Sequence, residues 1–290
     1  MSEKVAFIGL GVMGYPIAGH LASNGHDVRV YNRTTSRAEQ WATAHSSTIC
    51  ETPALVAKDR DVVFCCVGND EDLRSVTLGE SGAFSGMSPG TIFVDHTTSS
   101  ANAARELSEV ASERGVEYID APLSGGQAGA ESGQLTVMIG GNEEVAQRIS
   151  PLIDCYAKMQ ARIGEVGTGQ LCKMVNQICI AGVVQGLAEA LHFAENAGLD
   201  ATRVIDVISK GAAQSWQMDN RATTMINGEF DFGFAVNWMR KDLAYTLDEA
   251  RINGSHLPVA ALVDQFYSKV QSMGGGRWDT SSLLVPLNKK

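Results

Sequence analysis

The segment Gly9-Leu10-Gly11-Val12-Met13-Gly14 constrains this chain more than any other. Residues 5–10 form an apolar run of strand length, and residues 15–23 carry a helical pattern. The G-x-G-x-x-G spacing therefore falls on a strand–turn–helix junction, the context that makes an otherwise common pattern specific. The first glycine permits a tight turn, the second lets backbone approach a pyrophosphate, and the third allows close helix–strand packing. The following helix offers unpaired N–H groups and the positive end of its dipole to phosphate oxygens. All six residues, Gly9, Leu10, Gly11, Val12, Met13 and Gly14, are thus expected to contact a dinucleotide.

The rest of the first half repeats this unit. Further strands are expected at 28–32, 62–67, 91–95, 117–121 and 135–139, with helical stretches between several of them, such as 101–113. Such alternation predicts an α/β, Rossmann-type, doubly wound sheet. From about Gly167 the strand pattern stops. Residues 170–196 read as one helix closed by Gly198, about 40 Å long and apolar around nearly its whole circumference, which predicts burial between domains or subunits. Shorter helices follow at 201–210, capped by Asp200, at 238–252, capped by Asn237, and at 258–273, opened by Pro258. Two domains are expected: residues 1–165 for the dinucleotide, and an all-helical 166–290 for substrate and dimerisation.

The second strand ends in Asn32-Arg33-Thr34, where an NAD site usually carries Asp or Glu for the ribose 2′-hydroxyl. No acid stands there. Arg33, with Asn32, Thr34 and Arg37 nearby, can neutralise a 2′-phosphate instead, so NADP(H) is the preferred cofactor and NAD(H) a possible second.

Charge narrows the partners. The net charge of −10 and the lack of any Lys/Arg run argue against nucleic acid or an anionic membrane. No signal-peptide pattern opens the chain and no apolar run approaches bilayer length, so a cytoplasmic protein is expected. The six cysteines lack metal-ligand spacing and read as reduced, buried thiols, with no metal predicted.

Chemistry is carried by three later segments. Asp120-Ala121-Pro122-Leu123-Ser124-Gly125-Gly126 ends a strand in a small-residue loop, whose N–H groups and Ser124 hydroxyl suit a substrate carboxylate. Lys173 lies on the apolar helix, and Asn176 and Gln177, at i+3 and i+4, share its face. A partly desolvated lysine has a lowered pKa and can exchange a proton near neutrality. In Asn237-Trp238-Met239-Arg240-Lys241-Asp242-Leu243, Lys241 and Asp242 can reach cofactor and substrate. Trp238 can wall a pocket or, like Met239, pack in the core.

With these motifs in their order and spacing, the chain resembles the β-hydroxyacid dehydrogenase family over essentially its whole length. That family includes 3-hydroxyisobutyrate dehydrogenase, tartronate semialdehyde reductase and γ-hydroxybutyrate dehydrogenase, and uses a dinucleotide domain like that of 6-phosphogluconate dehydrogenase. The resemblance implies that Lys173 is the general acid/base and that Asn176 orients substrate. It implies that Ser124, Gly125 and Gly126 hold the carboxylate, while Thr97 or Thr98 and Lys241 stand near the nicotinamide. Cys66 and Val67 lie in Cys65-Cys66-Val67-Gly68, which replaces a Met-Leu-Pro-like stretch at the cofactor. His96-Thr97-Thr98 and Asn176-Gln177 also depart from the commonest pattern, and leave the substrate open. Two alternatives stand beside an oxidoreductase for a small β-hydroxy acid and its semialdehyde or keto form. One is an imine reductase, whose relatives generally lack the lysine. The other is a non-catalytic dinucleotide-binding protein. Helical domains in this family associate, implying a homodimer or homotetramer.

Overall fold

Alternate residues of a strand point to opposite faces of its sheet, and in the first strand both sets are apolar. Val5 and Phe7 enter one core with Val28, Val30, Val62, Phe64, Ile92 and Val94. Ala6 and Ile8 enter a second with Val63, Cys65 and Phe93. A sheet buried on both faces needs helices on both, which is the doubly wound arrangement. The computed structural model describes residues 2–288. Its strands are β1 (Lys4–Ile8), β2 (Asp27–Tyr31), β3 (Thr48–Ile49), β4 (Val62–Cys65), β5 (Ile92–Asp95), β6 (Glu117–Asp120), β7 (Leu123–Ser124), β8 (Leu135–Gly140) and β9 (Ala157–Gly164).

Their order is β3-β2-β1-β4-β5-β6-β8-β7, with β9 added beside β8. Strands β1 to β6 pair in parallel, β8 runs antiparallel to β6 and β7, and β9 returns parallel to β8. The order reverses between β1 and β4, and in such sheets ligands bind beyond the carboxyl ends of the strands at that switch point. The expected α/β class and the six expected strands are present. Three strands were not foreseen: β3 and β7 have two residues each, and β9 is half-exposed without apolar alternation.

The chain divides into two compact units, Met1–Lys173 and Met174–Lys290, and the division falls inside the 29-residue helix Thr168–Asn196. In the second unit, Ala181, Val184, Leu187 and Leu191 of this helix pack with Met239, Leu243, Val263 and Tyr267. Its other side departs from the expected all-round burial: Val175 and Phe193 are 60% and 71% exposed in the single chain. By length and apolar composition the helix could cross a membrane, contrary to the sequence expectation, but it is a core helix of this unit.

Asp200 caps the helix Ala201–Ile208 as expected, accepting from the N–H groups of Thr202 and Arg203. Asn237 does not cap the next long helix. Ala235 bridges Asp279 in extended form, so the helix Val236–Asn253 starts two residues early, and Asn237 accepts from Gln271 instead. A further helix, Trp216–Asn227, is capped by Ser215 and had not been read from the sequence. The six cysteines are free thiols, but only Cys65 is buried. Cys179 is exposed and the other four are half-buried.

Candidate active site

The three glycines of the loop answer three different demands. A Cβ on Gly9, at φ +94°, would lie 2.2 Å from the Cys66 carbonyl oxygen, and one on Gly14 would lie 2.0 Å from the Gly9 oxygen. Around Gly11 a Cβ would meet nothing within 4 Å. The loop is thus closed at both ends and open in the middle, a cradle left for a ligand's close approach. Leu10 is buried, while Val12 is exposed beside the opening.

Asn32 ties this loop to the end of β2. Its Oδ1 accepts from the Leu10 N–H at 2.8 Å and its Nδ2 donates to the Thr34 carbonyl at 3.0 Å. Arg37 donates to the Leu10 carbonyl and lies over the Tyr15 ring. Asn32 and Arg37 therefore shape the loop from behind. Arg33 is different: its side chain is 82% exposed and pairs with Asp72 at 2.8 Å. Thr34 stands at the N-terminus of the helix Thr35–His45 and makes no capping bond there.

Beyond β4 and β5, backbone and side chains interlock. The Val67 N–H donates to Thr97 Oγ1 at 3.1 Å, and the Thr97 N–H to Asp95 Oδ1 at 2.9 Å. Thr97 is buried and its hydroxyl is used inside this network, whereas Thr98, Cys66 and Val67 are half-buried. His96 bridges the Ala121 carbonyl, through Nδ1 at 2.6 Å, and the Tyr156 hydroxyl, through Nε2 at 2.9 Å. Burial lowers its pKa to about 4, so the ring is neutral, with Nδ1–H donating and Nε2 accepting.

Asp95, fully buried, is held at about 7. Burial disfavours its charge, and donation from Thr97 and from the Tyr118 hydroxyl offsets that only in part. The folded state therefore holds this proton more tightly than the unfolded chain. The stability it contributes is complete below the ordinary carboxylate value and is lost as pH rises to about 7. Urea midpoints compared across that range should fall less steeply with rising pH in Asp95→Asn than in the wild type. Parallel curves would refute the assignment.

The predicted carboxylate loop lies at the end of β7. Ser124 is half-buried, Gly125 and Gly126 both have positive φ (+126° and +61°), and a Cβ on Gly126 would meet open space. Just before it, Asp120 turns its carboxylate into the interior. Oδ1 accepts from the Gly167 N–H at 2.7 Å and Oδ2 from the Gln170 N–H at 2.9 Å. An anion accepting from the first N–H groups of a helix satisfies donors that have no intrahelical partner and sits favourably in the dipole. Burial pushes the Asp120 carboxyl pKa up, against those same hydrogen bonds. Lys173 follows within the next turn and is only 7% exposed.

Within the second unit, five predicted residues come together. Asn176 donates to Gln177 at 2.7 Å, and Gln177 donates to Asp242 Oδ2 at 2.7 Å. Lys241 pairs with Asp242 Oδ1 at 3.3 Å. Its Nζ also lies 5.7 Å from the Trp238 ring centre and 5.4 Å from that of Tyr245. Trp238 is 39% exposed, so it walls the surface around Lys241, while Met239 is fully buried.

Sequence reasoning assigned no role to Asp120, Gln170, Asp95 or Tyr245. Asp120 opens the segment 120–126, and Gln170 opens the expected helix 170–196. Tyr245 was signalled by the helical spacing 238, 241, 245. Asp95 had no signal beyond its place at a strand end.

Residues 4–169 match the family model of the NAD binding domain of 6-phosphogluconate dehydrogenase. Residues 167–287 match that of the NAD-binding domain of NADP-dependent 3-hydroxyisobutyrate dehydrogenase. The chain is 40% identical to probable 3-hydroxyisobutyrate dehydrogenase-like 1, mitochondrial, of Arabidopsis thaliana, over 99% of this chain and 86% of that one. It is 33% identical to 2-hydroxy-3-oxopropionate reductase of Escherichia coli, over 98% and 97% of the two chains. Among solved structures, 3-hydroxyisobutyrate dehydrogenase of Mycobacterium tuberculosis with L-serine superposes with a TM-score of 0.90 at 30% identity, over the whole of both chains.

Proposed function

The chain belongs to the β-hydroxyacid dehydrogenase family and is an NAD(P)-dependent oxidoreductase, and on that premise we propose that it interconverts a small β-hydroxy acid and its semialdehyde or keto form, preferring NADP(H) and using Lys173 as general acid/base. The observation that carries this reading is a lysine only 7% exposed, one turn beyond a helix start held by a buried carboxylate. An amine largely shielded from water beside such a helix start is a group of the type that serves as a positioned acid or base.

The loop fits a dinucleotide, since its space is kept open at Gly11 and nowhere else along Gly9, Gly11 and Gly14. When bound, the cofactor supplies or accepts the hydride. The chain's own residues hold and move the rest. Gly9–Gly14, at the positive end of the following helix, carry the phosphates. Thr98, Cys66, Val67 and Lys241 serve the nicotinamide side, with Thr97 bracing that loop from within. Ser124, Gly125 and Gly126 grip the substrate carboxylate. Lys173 protonates the carbonyl oxygen on reduction and removes the hydroxyl proton on oxidation. Asn176, backed by Gln177 and Asp242, orients the substrate. Residues 1–165 act as the cofactor domain and 166–290 as the substrate and association domain. Lys173 and Asn176 together favour this chemistry over an imine reductase or a non-catalytic binder. The exposed Val175 and Phe193 support a homodimer or homotetramer, in an enzyme we assign to the cytoplasm.

A panel of small semialdehydes assayed with NADPH and with NADH tests the whole reading, and absence of turnover throughout would sink it. The Arg33–Asp72 pair yields a sharper test of the cofactor. A charge-assisted bond from Arg33 to a 2′-phosphate contributes roughly 1.5–3 kcal/mol. Arg33→Asp should therefore shift the NADPH/NADH preference toward NADH by about 10- to 100-fold in kcat/KM. Asp72→Asn, which frees Arg33 from its carboxylate, should move the ratio modestly the other way. An unchanged ratio in both variants would refute the 2′-phosphate role.

A further inference from the structure

Gln170 is fully buried, and each end of its amide is bonded to the chain that follows β5. Its Nε2 donates to the Thr97 carbonyl at 2.7 Å, and its Oε1 accepts from the Ser99 N–H at 3.2 Å. The two bonds reach residues two apart, so the side chain pairs with that segment as a strand edge would. The backbone N–H of the same residue donates to Asp120 at 2.9 Å. Thr97 is in turn held by Val67 and Asp95. One side chain thus joins the ends of β4 and β5 to the first turn of the helix Thr168–Asn196, at i−3 from Lys173.

The surroundings leave that turn little freedom. A Cβ on Gly169 would lie 2.5 Å from the Met138 oxygen and 2.7 Å from the Asp120 oxygen. On Gly140 it would lie 2.4 Å from Asp120 Oδ1 and 2.7 Å from the Gly169 N–H. The helix start is therefore wedged against the ends of β6 and β8 at backbone distance. Buried polar groups that are fully satisfied rigidify what they join.

We infer that Gln170 is a positioning residue: its amide locks the turn that carries Lys173 to the Thr97–Ser99 segment, so that the proton-transfer group and the cofactor-side loop are held as one body. The inference rests on the proposed role of Lys173. Only an amide matches the site, since it needs a donor toward Thr97 and an acceptor toward Ser99. Glutamate in its place has the same size but sets a carboxylate oxygen against the Thr97 carbonyl.

The test uses the full-length enzyme, with the best semialdehyde of the panel and NADPH. Gln170→Ala and Gln170→Glu are measured for NADPH affinity by fluorescence, for KM and kcat at steady state, and for hydride transfer in a single turnover. The expected result is a roughly 10- to 100-fold fall in kcat and in the single-turnover rate, the scale of effect that a small misplacement of reacting groups produces. NADPH affinity and KM should change less than about threefold. A residue that only stabilises the fold would lower the melting temperature and leave the rate per folded molecule unchanged, and that outcome overturns the inference. Failure of both variants to fold would overturn it as well, by making Gln170 a folding residue. A wild-type enzyme inert on the whole panel refutes the proposed function itself. A wild type that is active and lost in Lys173→Ala, but matched by both Gln170 variants, refutes only the positioning role.

Discussion

Lys173→Ala is expected to leave the protein folded and able to bind dinucleotide while turnover falls by about 10²- to 10⁴-fold, the usual contribution of a positioned acid or base. The side chain is only 7% exposed, so its removal takes away a group that occupies the interior of the first turns of the helix Thr168–Asn196. The turn itself is anchored by Asp120 and Gln170, which the substitution leaves in place. Lys173→Arg separates charge from proton exchange. A guanidinium keeps the positive charge but does not release its proton near neutrality. If proton transfer is the role, arginine should be nearly as inactive as alanine in kcat while preserving KM better. Substantial turnover in either variant would refute the acid/base assignment.

The second large effect is expected at Gly14, and it is one of folding. Its Cβ in Gly14→Ala would lie 2.0 Å from the Gly9 oxygen and 2.8 Å from the Phe7 ring. Gly9 has little room to shift, because its backbone packs so closely on Cys66 that a Cβ there would lie 2.2 Å from the Cys66 carbonyl oxygen. Overpacking of this kind typically costs about 1–3 kcal/mol, and here backbone, not a flexible side chain, is the obstacle. Gly14→Ala should therefore lower the urea midpoint and abolish the stabilisation that added NADPH gives the wild type. Gly11→Ala makes the control, since its Cβ would meet nothing within 4 Å. That variant should match or slightly exceed wild-type stability, by about 0.4–1 kcal/mol at most, and still bind NADPH more weakly. Equal behaviour of the two variants would show that the loop's glycines are not divided between packing and ligand approach.

Much of the candidate site is legible in the sequence, because motif spacing carries chemistry directly. G-x-G-x-x-G after an apolar run specified the cradle. Lys173 with Asn176 and Gln177 on one helix face specified a polar stripe, and the structure extends that stripe through Gln177 to Asp242 and Lys241. What spacing could not carry was the direction in which a polar side chain turns. Asn32 read as a cofactor contact, and both ends of its amide are engaged with Leu10 and Thr34. Thr97 and Thr98 read as equivalent, and the fold buries the first while leaving the second half-exposed. Strand β9 was missed because Ala-Lys-Met-Gln-Ala-Arg-Ile-Gly shows no period-two alternation at a half-exposed edge. Asn237 was read as a cap because residue type favours it. A bridge from Ala235 to Asp279 decided the helix start instead.

The sequence by itself determined the alternation of strands and helices in the first half, the long helix after it and the motifs on which the proposed chemistry rests, because apolar periodicity and glycine steric limits act within a few positions along the chain. Only the tertiary structure decided which polar groups brace the site and which remain open to a ligand. Asp120, Gln170 and Thr97 are 50 to 73 residues apart in the pairs they form. A hydrogen bond across such separations exists only once the sheet has brought the ends of its strands together, and burial then makes leaving it unmade costly.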